Sequence, residues 1–192
     1  MFSSRNIHFA VLGIILGASA AYIFAFYQVE STMPAEAQST QKTGLPANHP
    51  DVNNEQMLDL LRKAIEEKPD QPEMISRYAN VLFNMGRWDE ALKWYGKVIE
   101  LQPDNLDARS LRGAVYWRMN KIDEAAADLQ SVLRRDPAHV PSLYGMFLLS
   151  LHRHDVPRAE EFFAKIQKVD PTYEGLAELK KRLDEERSKA AK

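Results

Sequence analysis

Prolines stand at positions 69, 103, 137 and 171, each 34 after the last. Their contexts are Lys68-Pro69-Asp70, Gln102-Pro103-Asp104, Asp136-Pro137-Ala138 and Asp170-Pro171-Thr172. Alanines at 91, 125 and 159 keep the same spacing, always the same distance ahead of a proline. Two registers in step over three cycles mean that one supersecondary unit is repeated. Such a unit cannot bury its apolar face alone, so the units must stack. An ordinary helical bundle has no reason to keep a fixed period.

The stretches LLRKAIEE, EALKWYGKVIEL, AAADLQSVLRR and AEEFFAKIQKV place apolar residues three and four apart, the spacing of one helix face. The first helix of each unit is predicted over Glu73–Met85, Leu106–Met119 and Val140–Arg153. A short turn follows, as in Met85-Gly86-Arg87 or Met119-Asn120-Lys121. The second helix stops before the next proline, which cannot continue a helix and pushes its predecessor out of the helical region. Pro157 suits the first turn of a helix instead, with Asp155 as cap. Asn54–Glu67 reads as a lone second-type helix. Glu174–Lys192 reads as an amphipathic capping helix with Leu176, Leu179 and Leu183 on one side. The fold class expected is all-α, a helix-turn-helix solenoid.

Within that period, Ala79 and Gly113 stand in the first helices and Ala91, Ala125 and Ala159 in the second. Tyr95, Leu129 and Phe163 follow one helical turn later, and Pro103, Pro137 and Pro171 close the units. Arg87-Trp88-Asp89-Glu90-Ala91-Leu92 and Lys121-Ile122-Asp123-Glu124-Ala125 open the second helices. From Pro72 to about Pro171 this pattern resembles the tetratricopeptide repeat (TPR) family. The resemblance implies a domain over residues 51–192 with about three repeats, near 72–105, 106–139 and 140–173, and a capping helix over 174–190. The family's early Trp is replaced by Ile75, Arg109 and Leu143. Phe147 takes the small-residue place in the third repeat, so the helices are expected to open or shift there.

In the family, the first helix of each repeat (helix A) lines a concave groove. By register the lining residues here are Glu73, Ser76, Asn80, Phe83 and Asn84, then Asp107, Ser110, Ala114, Trp117 and Arg118, then Pro141, Tyr144, Leu148, Leu151 and His152. The resemblance therefore implies a protein or peptide partner held by apolar anchors, with Arg118 near a partner carboxylate. The alternative is that Trp117 and Leu151 cover the C-terminal capping helix and bind nothing. The carboxylate clamp by which some family members grip an acidic chaperone tail is matched only at Asn80. Ser76, Leu111, Pro141 and Gly145 occupy its other places.

Upstream, the run from Ile7 to Val29 contains no Asp, Glu, Lys or Arg. As a helix that run is about 34 Å long, enough to cross a hydrocarbon core of roughly 30 Å. A cleaved signal has an apolar core of only about 7–15 residues. A cut after Ala20 would leave an apolar, aromatic new terminus, so a permanent single-span anchor is expected. Arg5 precedes the run, while Glu30 and Glu36 follow it. The positive-inside bias puts residues 1–6 in the cytoplasm and the rest on the periplasmic or outer side, with a bacterial inner membrane as the setting. Gly13, Gly17 and Ala21 form a small-residue face suited to helix pairing in the membrane. Residues 30–50, rich in Ser, Thr, Gln and Ala and broken by Pro34 and Pro46, read as a flexible linker.

With no cysteine, the chain has no disulfide, thiolate zinc site, iron–sulfur cluster or lipid-modified cysteine. A formal net charge of -2 gives no basic stripe for nucleic acid. His152-Arg153-His154-Asp155 lies at a helix end and turn, where exposed polar residues are normal, so no metal is expected. No phosphate loop or nucleophile elbow occurs. The expectation is a membrane-anchored, non-enzymatic TPR scaffold without a cofactor. Its architecture looks like that of repeat proteins holding apocytochrome in c-type cytochrome biogenesis, or of structural subunits of secretion or envelope complexes.

Overall fold

A computed structural model describes residues 54–190, so the apolar run 7–29, its Gly13, Gly17 and Ala21, and the linker 30–50 lie outside the described residues. Among the described residues there are eight helices: α1 (Asn54–Glu67), α2 (Pro72–Asn84), α3 (Trp88–Leu101), α4 (Leu106–Arg118), α5 (Ile122–Arg135), α6 (Val140–His152), α7 (Val156–Val169) and α8 (Leu176–Ala190). They form three antiparallel hairpins, α2–α3, α4–α5 and α6–α7, stacked in chain order, with α1 on α2 and α8 on α7. Helices α2, α4 and α6 are the helices A; α3, α5 and α7 are the helices B. Each helix A ends just short of the position that the sequence suggests. The capping helix begins at Leu176 because Asp170–Gly175 close a turn, with the Tyr173 amide donating to the Asp170 carbonyl and the Thr172 hydroxyl to the Asp170 carboxylate.

The repeat period has a physical counterpart at every joint. Ala79, Ala91, Ala125 and Ala159 are fully buried, and Gly113 is buried with them. Side chains this small let the two helices of a hairpin approach closely. The turn between helices A and B always passes through one left-handed residue, Gly86 (φ 75°), Asn120 (φ 58°) and His154 (φ 56°), in the same register as the prolines. Glycine takes that conformation freely and Asn tolerates it, whereas His adopts it at a cost. The starts of α4, α6 and α7 are capped by side chains: Asn105 accepts from the Ala108 amide, His139 from the Ser142 amide and Asp155 from the Arg158 amide.

Phe147 does not open the third hairpin, contrary to the sequence expectation. Its ring is fully buried, as is Ala159 at the facing register, and α6 packs on α7 as densely as α2 on α3. Helix α6 touches α4, α5 and α7, and its residues from Ser142 to Ser150 are all buried. Helix α6 makes room for α5 at Gly145, where a methyl group would stand 2.7 Å from Leu129 Cδ1. Leu129 is held from the other side as well, since a Cβ at Gly113 would lie 3.2 Å from its Cγ. Two glycines from successive helices A thus close on one leucine of α5.

A second register shows how the repeats vary within a constant frame. In the first repeat Tyr78 and Trp94 meet edge to face at 5.0 Å. The equivalent positions of the second repeat hold Arg112 and Asp128, joined by two hydrogen bonds of 2.7 Å, with the Asp128 side chain 9% exposed. In the third repeat the same positions hold Met146 and Phe162, both buried. One ion pair therefore occupies a site that its sister repeats fill with apolar groups.

Two substitution experiments follow. Gly145→Ala is expected to lower stability by about 1–3 kcal/mol in urea titration, and Leu129→Ala in the same chain should remove most of that added penalty. Arg112→Met leaves the Asp128 carboxylate buried and unpaired, which costs about 3–5 kcal/mol. Adding Asp128→Phe, so that the second repeat carries the third repeat's pair, should return stability to the wild-type level or above it.

Candidate protein-binding surface

The helix A face presents fewer groups than its register suggests. Of the groove residues, Phe83, Ser110, Ala114, Tyr144 and Leu148 are buried in the protein's own packing. Asn80 is half-buried and accepts the hydroxyl proton of Tyr95, itself fully buried on α3. The apolar strip expected on the third helix A is thus interior: Tyr144 is 2% exposed and Leu148 5%. The cause is the enclosure of α6 by α4, α5 and α7. Burial raises the Tyr173 phenol far above its ordinary value, and Tyr144 adds to the effect.

What stays accessible lies at the last turns of the helices A and at their first turns. Glu73, Asn84, Asp107 and His152 are exposed, while Ser76, Trp117, Arg118, Pro141 and Leu151 are half-buried. Trp117 and His152 meet edge to face with centroids 5.1 Å apart, which joins the second repeat to the third. Arg118 lies with its guanidinium 5.7 Å from the Trp88 ring centroid, so α4 is tied to the start of α3. These contacts pin aromatic, cationic and imidazole groups near the ends of α4 and α6, chemistry of the kind that protein-binding hot spots use.

The polar first turns are linked into a chain. His139 Nδ1 accepts from the Ser142 amide, which assigns the ring proton to Nε2, 3.1 Å from Asp107 Oδ1. Ser142 Oγ lies 3.0 Å from Nδ1 and donates to Ser110 Oγ at 3.1 Å. The hydrogen bond from His139 keeps the Asp107 carboxyl below the ordinary carboxylate range. The sequence of groups is that of a nucleophile triad, yet Ser142 is fully buried and its hydroxyl is spent on Ser110. Its place at the joint of α4 and α6 makes it a structural clasp. The pairing of Asp107 with His139, nearly one repeat further on, depends on the stacking of the hairpins.

The histidines of the 152–155 segment are likewise engaged. His154 Nδ1 lies 2.5 Å from Glu186 Oε1 on α8, and Lys189 also reaches Glu186. Among the described residues no group of three or more His, Asp or Glu side chains is placed to hold a metal ion. No described helix is long and apolar enough to cross a membrane.

The contact with His154, aided by Lys189, holds the Glu186 carboxyl below its ordinary value of 4.5. A lowered folded-state value stabilises the fold above pH 4.5, and the contribution is lost as pH falls through the lowered value. Glu186→Gln should therefore be less stable than the wild type at pH 7, and thermal melts should show the gap closing as the pH is taken below about 4.

Comparison with known proteins fits this geometry. A family model described as "TPR repeat" matches residues 79–120, and one described as "Tetratricopeptide repeat" matches residues 111–174. Together they cover half of the chain. Among curated relatives, the DnaJ homolog subfamily C member 3 of Bos taurus is 36% identical over 81 residues, 42% of this chain and 16% of that protein. The chain thus spans about a sixth of that relative's length. A solved tetratricopeptide repeat protein from Parabacteroides merdae superimposes with a TM-score of 0.62 at 20% identity, over 72% of this chain and 56% of that one. YrrB, described as a TPR protein with an unusual peptide-binding site, gives a TM-score of 0.59 at 20% identity, over 67% of this chain and 66% of its own. By its repeat period, its stacked hairpins and these matches, the chain belongs to the tetratricopeptide repeat family.

Proposed function

We propose that this protein is a membrane-anchored scaffold whose helix A face holds another protein or an extended peptide. Residues 7–29 serve as the single span, residues 1–6 stay in the cytoplasm, and the linker 30–50 presents the repeat head on the periplasmic or outer side. The protein acts by holding its partner and catalyses no reaction. The observation that carries the binding role is that Trp117, Arg118 and His152, each pinned by an aromatic contact, and the half-buried Leu151 are still partly accessible after the fold has taken its own share of the groove. The peptide-binding description of YrrB supports the same use of this fold. An acidic chaperone tail is a poor fit, because of the clamp positions only Asn80 matches and its amide oxygen is engaged by Tyr95. The anchor rests on the charge-free run from Ile7 to Val29.

Photo-crosslinking in living cells tests the reading. The reactive amino acid belongs at Leu151, since Tyr144 is 2% exposed and faces the protein's interior. A discrete adduct with a foreign protein in the membrane fraction is expected. Trp117→Ala should abolish it and weaken partner affinity about 30-fold, the effect of losing a hot-spot residue, with the head's melting transition retained. Crosslinks confined to the chain itself at full expression would overturn the proposal.

A further inference from the structure

Helices α4 and α6 meet near both of their ends. At the first turns His139 Nε2 donates to Asp107 Oδ1 at 3.1 Å and Ser142 Oγ to Ser110 Oγ at 3.1 Å, both serines being buried. At the last turns the rings of Trp117 and His152 stand edge to face. Trp117 lies about 15 Å along α4 from Asp107, and His152 as far along α6 from Ser142. Between these contacts Gly113 and Gly145 close on Leu129, an apolar packing without direction. The hydrogen bonds at the first turns, by contrast, fix both distance and direction.

Capping alone does not call for a histidine at this register. One repeat earlier Asn105 caps α4 through Oδ1, and its Nδ2 turns back to Gln102 in the same loop. Ser76 and Ala108 stand there in place of Ser110 and Ser142, and alanine has no hydroxyl to donate. The clasp therefore belongs to the joint between the second and third repeats, which also carries Trp117, Leu151 and His152. His139 does what the shorter Asn does not, since one ring nitrogen caps α6 while the other crosses to α4. We infer that His139 is a positioning residue: its bond to Asp107, with the Ser142–Ser110 bond beside it, sets how Trp117 stands against His152 at the far end of the same two helices. Each of these helices is an unbroken run of 13 residues, so a displacement of its first turn is carried to its last. The bearing of this placement on partner binding rests on the reading of the helix A face given above.

The chain has three tryptophans, Trp88, Trp94 and Trp117. Full-length protein grown with fluorotryptophan and held in detergent micelles gives one fluorine resonance for each, assigned through Trp94→Phe and Trp117→Phe. His152→Ala supplies the position that the Trp117 resonance takes without the ring contact. His139→Asn keeps a strong cap and removes the reach to Asp107, while Ser142→Ala keeps the His139 cap and removes the hydroxyl bridge. Both variants are expected to move the Trp117 resonance toward its His152→Ala position. Trp94, which faces Tyr78 in the first repeat, should stay in place, and the helical melt of the head should be retained. A Trp117 resonance at its wild-type position in both folded variants would overturn the inference. Equal displacement of Trp94 would overturn it as well, since that is the sign of general loosening. The foreign adduct at Leu151 should fall several-fold in His139→Asn. If no chain gives that adduct, the binding reading fails alone, and the Trp117 resonance still decides the positioning.

Discussion

The close approach of each helix A to its helix B is the constraint from which the remaining architecture follows. It requires side chains no larger than a methyl group at one register, and Ala91, Ala125 and Ala159 meet it without exception. Once that contact is set, the turn length is set, and with it the left-handed residue at 86, 120 and 154. The proline that ends each helix B then repeats at the same interval. The first repeat's Ala79 and the second's Gly113 keep the companion place in helix A small, while the third repeat accepts Phe147 because the facing residue is still alanine and because Gly145 opens the neighbouring side.

Most of this is legible in sequence because it follows from a period. The helices, the turns, the Asp155 cap and the order of stacking can be placed by counting. A period does not say which neighbour each surface meets. Tyr144 and Leu148 have the register of groove residues, but α6 is enclosed by three other helices and they are interior. Arg112 and Asp128 read as charges on separate helices; only alignment with Tyr78–Trp94 and Met146–Phe162 shows that they share one buried place. His154 reads as an exposed turn residue, and its contact with Glu186 depends on where the capping helix docks.

The accessible part of the helix A face is therefore narrower than family register implies and richer in specific chemistry. Aromatic, cationic and imidazole groups converge near the ends of α4 and α6, and each is fixed by a neighbour: Trp117 by His152, Arg118 by Trp88. Groups held in this way lose little conformational freedom on binding, which favours discrimination between partners over simple adhesion. At the opposite end of the helices A, the Ser142–His139–Asp107 clasp ties α4 to α6 and keeps the spacing of that face constant.

The position of α1 has a mechanical consequence. Among the described residues helix α1 packs chiefly on α2, whereas the helices of the central hairpin are gripped on two or more sides. Any pull on the head that arrives through the amino-terminal chain enters at α1, the end helix of the stack. Its 14 residues lengthen from about 21 Å as a helix to about 46 Å as an extended strand, a gain of roughly 25 Å before the first hairpin feels load. The same helix that starts the stack thus serves as its slack.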